Sequence, residues 1–208
     1  MTTAAMPVPA AVPATGGDVD SRAAYASFGL AYVLGHGAAA VSLGPDPLIA
    51  LPGWLPMTLL GAGLAAGTVF ASVAATRAQR GAGPHDSLSG KLLGLSWISA
   101  FAALFLAITG LASQLDMPEL QSMLWPTWSG FLVGLLYLGE GATRRNLLHY
   151  GLGTWLALTS TAALFLGIPN LFWVLAIAGG GGFAVAAVLE SRRLARNGGR
   201  ISFSRAVI

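Results

Sequence analysis

Long uncharged stretches separated by short polar connections dominate the chain. They cover residues 23–45, 47–76, 92–115, 120–139 and 147–189. Ionised side chains are costly at the centre of a bilayer and are largely excluded from membrane-spanning segments. The last stretch holds 43 residues, about 65 Å as one helix, which is twice the thickness of a hydrocarbon core. Pro169 and Asn170 near its middle therefore predict two helices.

The pattern predicts an all-α integral membrane protein, built as a bundle of six transmembrane helices. The predicted helices cover residues 23–43, 54–76, 91–113, 123–143, 147–168 and 170–190. The Pro-rich and Ala-rich residues 1–22 predict a disordered N-terminal tail, and residues 191–208 a basic C-terminal tail. The alternative for the N-terminus is a signal peptide cleaved near residues 38–40. Such a leader would be long and would lack an early basic region.

The basic residues predict the orientation of these helices. The chain contains ten arginines and one lysine, and all 11 precede helix 1, bracket the second connection, form the fourth, or follow helix 6. The opposite connections contain acidic and neutral residues only. Because cytoplasmic loops of membrane proteins carry the excess of Lys and Arg, both termini are predicted to be cytoplasmic.

Weak internal repetition suggests that the six helices form three helical hairpins. Each helix that runs toward the cytoplasm begins beside tryptophan and ends in a hydroxyl residue followed by arginine, as at Thr76-Arg77 and Thr143-Arg144. Helices 3 and 5 share the order Ala-Ala-Leu-Phe-Leu at residues 102–106 and 162–166. The alternative is chance, since interfacial aromatic residues and positive cytoplasmic ends recur in any membrane bundle.

Composition agrees with a membrane protein and excludes several kinds of chemistry. Hydrophobic residues make up 55% of the chain and charged residues 9%, whereas soluble domains contain about 25% charged residues. The absence of cysteine excludes disulfides, iron–sulfur clusters, thiolate nucleophiles and Cys-based zinc sites. No hydrolase, protease or ATPase motif occurs. We therefore expect no enzyme activity, no cofactor or metal, and no nucleic-acid partner.

The few ionisable residues within the predicted bundle are the candidate functional residues. His36 lies well inside helix 1, where an ionisable group suggests function; the alternative is an interhelical hydrogen bond that aids packing. Glu140 precedes Arg144 by four residues, a spacing that favours an ion pair. The short connection between helices 4 and 5 predicts that Glu140, His149 and Tyr150 gather at the cytoplasmic rim. They would form either an interfacial ion-pair cluster or a pH-sensitive gate.

Glycines at mid-depth on the three helices that run toward the cytoplasm predict close helix packing. They are Gly63 and Gly67, Gly130 and Gly134, and the run Gly179, Gly180, Gly181 and Gly182. Small residues four apart let helix backbones approach closely in a membrane. The alternative for the four consecutive glycines is an unwound hinge that exposes backbone carbonyls.

Two classes of function fit these features. The first is a non-catalytic membrane subunit, sensor or assembly factor that acts through protein or lipid contacts. A protein partner or a homo-oligomer would supply the protein contact, and a polybasic segment would attract anionic lipid; it comprises Arg192, Arg193, Arg196 and Arg200. The alternative class is a small solute or ion transporter or channel, which could be proton-linked. The Ala, Gly and Arg content predicts the cytoplasmic membrane of a high-GC bacterium.

Overall fold

The computed structural model describes residues 19–80 and 83–205, without the side chains of residues 84–86 and 197–205. All regular structure in these residues is helical, which confirms the predicted all-α class. The predicted N-terminal tail therefore lies almost entirely outside the described residues, and so does the side chain of Arg200.

Within this part of the chain the helices follow one another as six segments, which we number α1 to α6. They are α1 Arg22–Ser42, α2 Trp54–Gln79, α3 Pro84–Gln114, α4 Leu120–Thr143, α5 Leu147–Ala163, and α6, made of Asn170–Val174, Leu175–Gly179 and Gly180–Arg205. Single π-helical turns interrupt α1 at Tyr32–His36 and α6 at Leu175–Gly179. Three bounds differ from the expected ones by more than three residues: α3 already begins at Pro84, the α-helix of α5 already ends at Ala163, and α6 continues past residue 190.

Local sequence signals set the ends of these helices. Pro84 occupies the first turn of α3, where its missing N–H would have no helical partner. The Asn146 side chain caps α5 by accepting a hydrogen bond from the His149 backbone N–H at 3.1 Å. Gly167 has a φ of 64°, a left-handed conformation that glycine adopts without steric cost. The chain therefore turns between α5 and α6, beside Pro169, as predicted.

Four helices in the described residues are long and apolar enough to cross a membrane. They are α1, α2, the Ser87–Gln114 part of α3 and the Asn170–Arg196 part of α6. The structure therefore supports a membrane protein with several apolar helices. By itself α5 has 17 residues, fewer than the roughly 20 that span a hydrocarbon core, although the 3-10 turn Leu164–Leu166 continues it.

The core of the bundle lies among α1, α4, α5 and α6. The pair α4 and α5 packs most extensively, α1 contacts both α2 and α6, and α3 packs on α4. Only 6% of the apolar window of α2 and 11% of that of α3 is buried, against 50% for α1 and 44% for α6. Helices α2 and α3 are therefore peripheral. Aromatic rings fill much of the core, including Tyr25, Tyr32, Tyr137, Phe172 and Phe183.

The paired glycines of α2 lie against α1. A Cβ atom added at Gly63 would lie 2.6 Å from the Cβ of Ala31 and 2.9 Å from its Cα. One turn further along α2, Gly67 faces the ring of Phe28. Because no side chain fits between the two backbones at Gly63, this contact depends on glycine.

The paired glycines of α4 lie against α5. A Cβ atom at Gly134 would lie 2.5 Å from the backbone nitrogen of Ala157 and 2.7 Å from the carbonyl oxygen of Gly153. Gly130 faces the hydroxyl of Ser160. These contacts explain why α4 and α5 can pack so closely along their length.

The four consecutive glycines of α6 remain helical. Gly179 ends the π turn, and α-helix resumes at Gly180. The ring of Tyr32 would lie 2.6 Å from a Cβ atom at Gly179. Trp155 of α5 donates a hydrogen bond from Nε1 to the carbonyl of Ala178 at 2.7 Å. A carbonyl in the π turn, where the regular helical ladder is interrupted, is therefore bonded to a neighbouring helix.

Candidate functional site

Arginine-bearing ends of the helices meet at one end of the bundle, which we call the basic end. It is defined by Arg22, Arg77, Arg144 and Arg193. The first two border a common groove, and the last two form ion pairs with glutamates of α4 and α6. Two clusters of polar side chains lie at this end, and both include buried groups.

His149 of α5 is at the centre of the first cluster. Its Nδ1 lies 2.6 Å from the hydroxyl of Tyr25 on α1, and its Nε2 lies 3.3 Å from Oε2 of Glu140 on α4. The other carboxylate oxygen of Glu140 lies 3.2 Å from Nε of Arg144, which is the ion pair that their spacing predicts. The cluster therefore joins three helices.

The two ring nitrogens of His149 differ in their bonding. Nδ1 is hydrogen-bonded to Tyr25, whereas the contact of Nε2 with Glu140 lacks hydrogen-bond alignment and leaves this buried nitrogen without a bonded partner. We assign the proton of a neutral imidazole to Nε2, so that the Tyr25 hydroxyl donates to Nδ1. A second proton would reverse the bond with Tyr25 and give a charged pair with Glu140.

Further polar groups surround His149. The ring of Tyr137 on α4 lies with its centre 4.0 Å from that of His149. The backbone N–H of Tyr25 donates to the Ser21 carbonyl at 2.9 Å, and the Ser21 N–H donates to Glu190 of α6 at 3.5 Å, so the fourth core helix is linked to the cluster through Ser21. Tyr150 is 46% exposed, and its hydroxyl forms no hydrogen bond within the described part of the chain. The structure therefore brings Glu140 and His149 together but leaves the Tyr150 hydroxyl out.

Glu190 is the centre of the second cluster and is fully buried. Arg193 donates hydrogen bonds from Nε and Nη2 to the two carboxylate oxygens, each at 2.9 Å. The backbone N–H of Ser21 donates to the same carboxylate at 3.5 Å, and Arg193 also donates to the carbonyl of Val19 at 3.4 Å. This cluster attaches the segment before α1 to the C-terminal half of α6.

His36 lies away from both clusters, in the π turn of α1. It is 3% exposed, its ring stacks on Phe172 with centres 6.1 Å apart, and the ring of Tyr32 meets it edge-on at 4.8 Å. Within the described residues His36 forms these ring contacts and not the interhelical hydrogen bond that was the packing alternative for it. The π turn that contains it contacts the π turn of α6, and such turns are frequent at functional sites.

Tyr25 and Glu190 are not among the functional residues predicted from the sequence. A signal for Glu190 was present, because Glu140 and Glu190 are the only acidic residues within the six predicted helix ranges. Arg193 also follows Glu190 by three residues, which places both on one helix face. Tyr25 carries no comparable signal, since its partner His149 is 124 positions away in the sequence.

Neither metal-ligand geometry nor similarity to known proteins assigns this site a chemistry. Among the side chains that the structure describes, no three of His, Asp or Glu are grouped so that they could hold a metal ion. No protein-family model matches the chain, and neither does any curated protein or solved structure.

Proposed function

We propose that the chain crosses the cytoplasmic membrane six times as three helical hairpins, with both termini in the cytoplasm. All 11 basic residues lie at the start of α1, around the second and fourth connections, or in the C-terminal part of α6, which is the pattern expected of cytoplasmic ends. The meeting of Arg22, Arg77, Arg144 and Arg193 at one end of the bundle supports this topology. At the other end, a Cβ atom at Gly44 would lie 3.2 Å from Pro169, so two of the three connections predicted to be external also meet.

Reporter fusions test this topology. A fusion at Gly83 or Asn197 is expected to give a cytoplasmic signal, and a fusion at Met117 an external one, because the first two lie beside basic segments and the third does not. Paired alkaline phosphatase and fluorescent protein reporters measure this in intact cells. A cytoplasmic signal at Met117 would contradict the six-crossing topology.

We propose that this membrane protein is a non-catalytic sensor or subunit, whose cytoplasmic end transmits protonation of a buried cluster to a protein or lipid partner. The observation that carries the proposal is the contact of His149 with both Tyr25 and Glu140, at 2.6 and 3.3 Å. Histidine is the side chain whose charge ordinarily changes between about pH 5 and 8. Ionisable groups inside a membrane bundle are rare and usually functional.

The contacts of Tyr25 give a path from His149 to the ends of α1 and α6. When His149 gains a proton, Nδ1 donates to the Tyr25 oxygen, and the Tyr25 hydroxyl hydrogen must turn to another acceptor. The Tyr25 backbone N–H donates to the Ser21 carbonyl at 2.9 Å. The Ser21 N–H donates to the Glu190 carboxylate at 3.5 Å, and this carboxylate also accepts from Arg193. Protonation therefore changes the interactions that hold the start of α1 against α6. Local changes of this kind shift interfaces in known pH sensors.

Hydrogen–deuterium exchange of the full chain in nanodiscs tests this path. Between about pH 5.5 and pH 8, and after correction for intrinsic exchange, wild-type protein is expected to change its protection in residues 19–31 and 187–196. His149→Gln is expected to abolish this change, and Tyr25→Phe to reduce it. His36→Gln is the matched control, because it removes a buried histidine outside the cluster. A response that persists in His149→Gln contradicts the sensor proposal.

A proton-linked transporter is the second candidate, and the paired π turns around His36 favour it. Discontinuous helices at mid-depth form substrate sites in several transporters, and His36 is a buried ionisable group at such a place. This candidate predicts a pH-dependent flux in proteoliposomes that His36→Gln abolishes while the melting curve stays normal. That result would replace the sensor proposal, whereas absence of flux together with the His149-dependent exchange response would support it.

A further inference from the structure

A groove opens at the basic end between α1, α2 and α6, and neither cluster uses it. Its volume is ≈ 770 Å³, within the range of roughly 300–1,000 Å³ that small-molecule sites occupy. Small and apolar residues from three helices form its walls: Ala23, Ala26, Phe70, Val73, Ala187 and Val188.

The groove lies where the close contacts of α1 with its neighbours end. Gly67 of α2 meets Phe28, and the groove residue Phe70 lies about one turn closer to the basic end. On α6, Phe183 contacts α1, and the groove residue Ala187 follows one turn later. Beyond the glycine contacts the three helices therefore leave a space that faces the surroundings of the bundle.

The walls of the groove lie at the depth of lipid chains in the proposed orientation. Phe70 precedes Arg77 by seven residues, about 10 Å along α2. Phe70, Val73 and Val188 are 46%, 41% and 52% exposed. With Arg77 at the level of the headgroups, these apolar side chains lie within the hydrocarbon of the cytoplasmic leaflet.

The rim of the groove carries one uncompensated positive charge within the described residues. Arg22 donates hydrogen bonds to both carboxylate oxygens of Asp20, at 2.9 and 2.7 Å, and these bonds lower the pKa of Asp20. Asp20 therefore remains ionised at neutral pH and balances Arg22. Arg77, on the opposite side of the groove, forms no ion pair in the described part of the chain.

We propose that this groove binds an anionic glycerophospholipid of the cytoplasmic leaflet, with its phosphate on Arg77 and an acyl chain against Phe70, Val73 and Val188. Basic pockets between transmembrane helices on the cytoplasmic side bind anionic headgroups, and the apolar walls favour a lipid over a free anion. The site is separate from the polybasic segment in the C-terminal part of α6. The inference rests on the proposed orientation, which the reporter fusions test independently.

Lipid retention by the full chain tests the proposal. The protein is reconstituted in nanodiscs of equal parts phosphatidylglycerol and phosphatidylcholine, and native mass spectrometry measures the ratio of the two lipids that stay bound. Wild-type protein is expected to retain phosphatidylglycerol preferentially. Arg77→Gln is expected to lower this ratio about fivefold, which corresponds to about 1 kcal/mol.

Two further variants separate the roles of charge and walls. Arg80→Gln removes a nearby arginine that directly follows α2 but does not line the groove, so it is expected to leave the ratio unchanged. Val73→Trp is expected to lower retention of both lipids, because it fills the groove. Equal ratios in wild type and Arg77→Gln would overturn the proposal. Displacement of the lipid by glycerol phosphate would also overturn it, since it would indicate a simple anion site.

Cross-linking in native membranes tests the other possible occupants. The chain has no cysteine, so any introduced pair is specific. Efficient disulfide formation between Ala10→Cys and Val73→Cys within one chain would mean that the N-terminal segment fills the groove. Efficient cross-linking of Val73→Cys between two chains would mean that a second copy covers it. Either result overturns the lipid assignment, and absence of both supports it.

Discussion

Replacing Gly134 with leucine is expected to destabilise the bundle more than a leucine at any open position of the same helix. A Cβ atom at this position would lie 2.5 Å from the Ala157 nitrogen and 2.9 Å from its Cα, and backbone atoms cannot rotate away. Overpacking of a well-packed core typically costs 1–3 kcal/mol, and occasionally more. We expect about 3 kcal/mol here, because α4 and α5 would have to separate. The free energy of unfolding in a denaturing-detergent titration measures the effect.

Gly139→Leu is the matched control, since Gly139 lies on the same helix and an added Cβ there would meet nothing within 4 Å. The corresponding pair on α2 is Gly63→Leu, which would press on Ala31, and Gly61→Leu, which would not. Equal stability of Gly134→Leu and Gly139→Leu would contradict the α4–α5 contact that the structure describes. Equal stability of the α2 pair would contradict only the contact between α1 and α2.

Features that depend on residues close in sequence could be predicted from sequence. The alternation of apolar stretches and polar connections predicted the helices, and Pro169 predicted the break between α5 and α6. The spacing of Glu140 and Arg144 predicted their ion pair, which has an N–O distance of 3.2 Å. These inferences need only helix geometry, the cost of charge in a membrane and the restricted backbone of proline.

Features that depend on packing between distant segments could not be predicted in the same way. The π turns Tyr32–His36 and Leu175–Gly179 contact each other across two helices, and neither segment carries a sequence signal for a π turn. Tyr25 meets His149 across 124 residues, and Ser21 meets Glu190 across 169. Such pairs become visible only when the order of helices around the bundle is known.

The bounds of α6 show a further limit of the sequence pattern. The uncharged stretch ends at residue 189, and the pattern predicts that the helix ends at residue 190, but α6 continues to Arg205. Charge marks where a helix leaves the hydrocarbon, not where hydrogen bonding of its backbone stops. Arg193 therefore lies on the same rigid helix as Glu190, one turn away, which makes their ion pair local and well oriented.

Arg193→Gln is expected to destabilise the protein more than Glu190→Gln does. Removing the arginine leaves the carboxylate of Glu190 charged and fully buried, and breaking a buried ion pair in this way typically costs 3–5 kcal/mol. Since the Arg193 side chain is 31% exposed, water can partly replace it, and we expect about 2 kcal/mol. Glu190→Gln removes the charge and keeps an acceptor for the Ser21 N–H, so its cost is expected to be below about 1 kcal/mol.

The double variant Glu190→Gln/Arg193→Gln decides whether a buried charge causes this asymmetry. Without the Glu190 carboxylate, loss of Arg193 no longer leaves an unpaired buried charge. The double variant is therefore expected to be more stable than Arg193→Gln alone. The recovery is expected to be partial, because Arg193 also donates to the Val19 carbonyl. Arg192→Gln controls for the loss of one positive charge at the basic end. Additive losses in the double variant would show instead that Arg193 stabilises the protein through its other contacts, and that the Glu190 carboxylate tolerates burial without a cation.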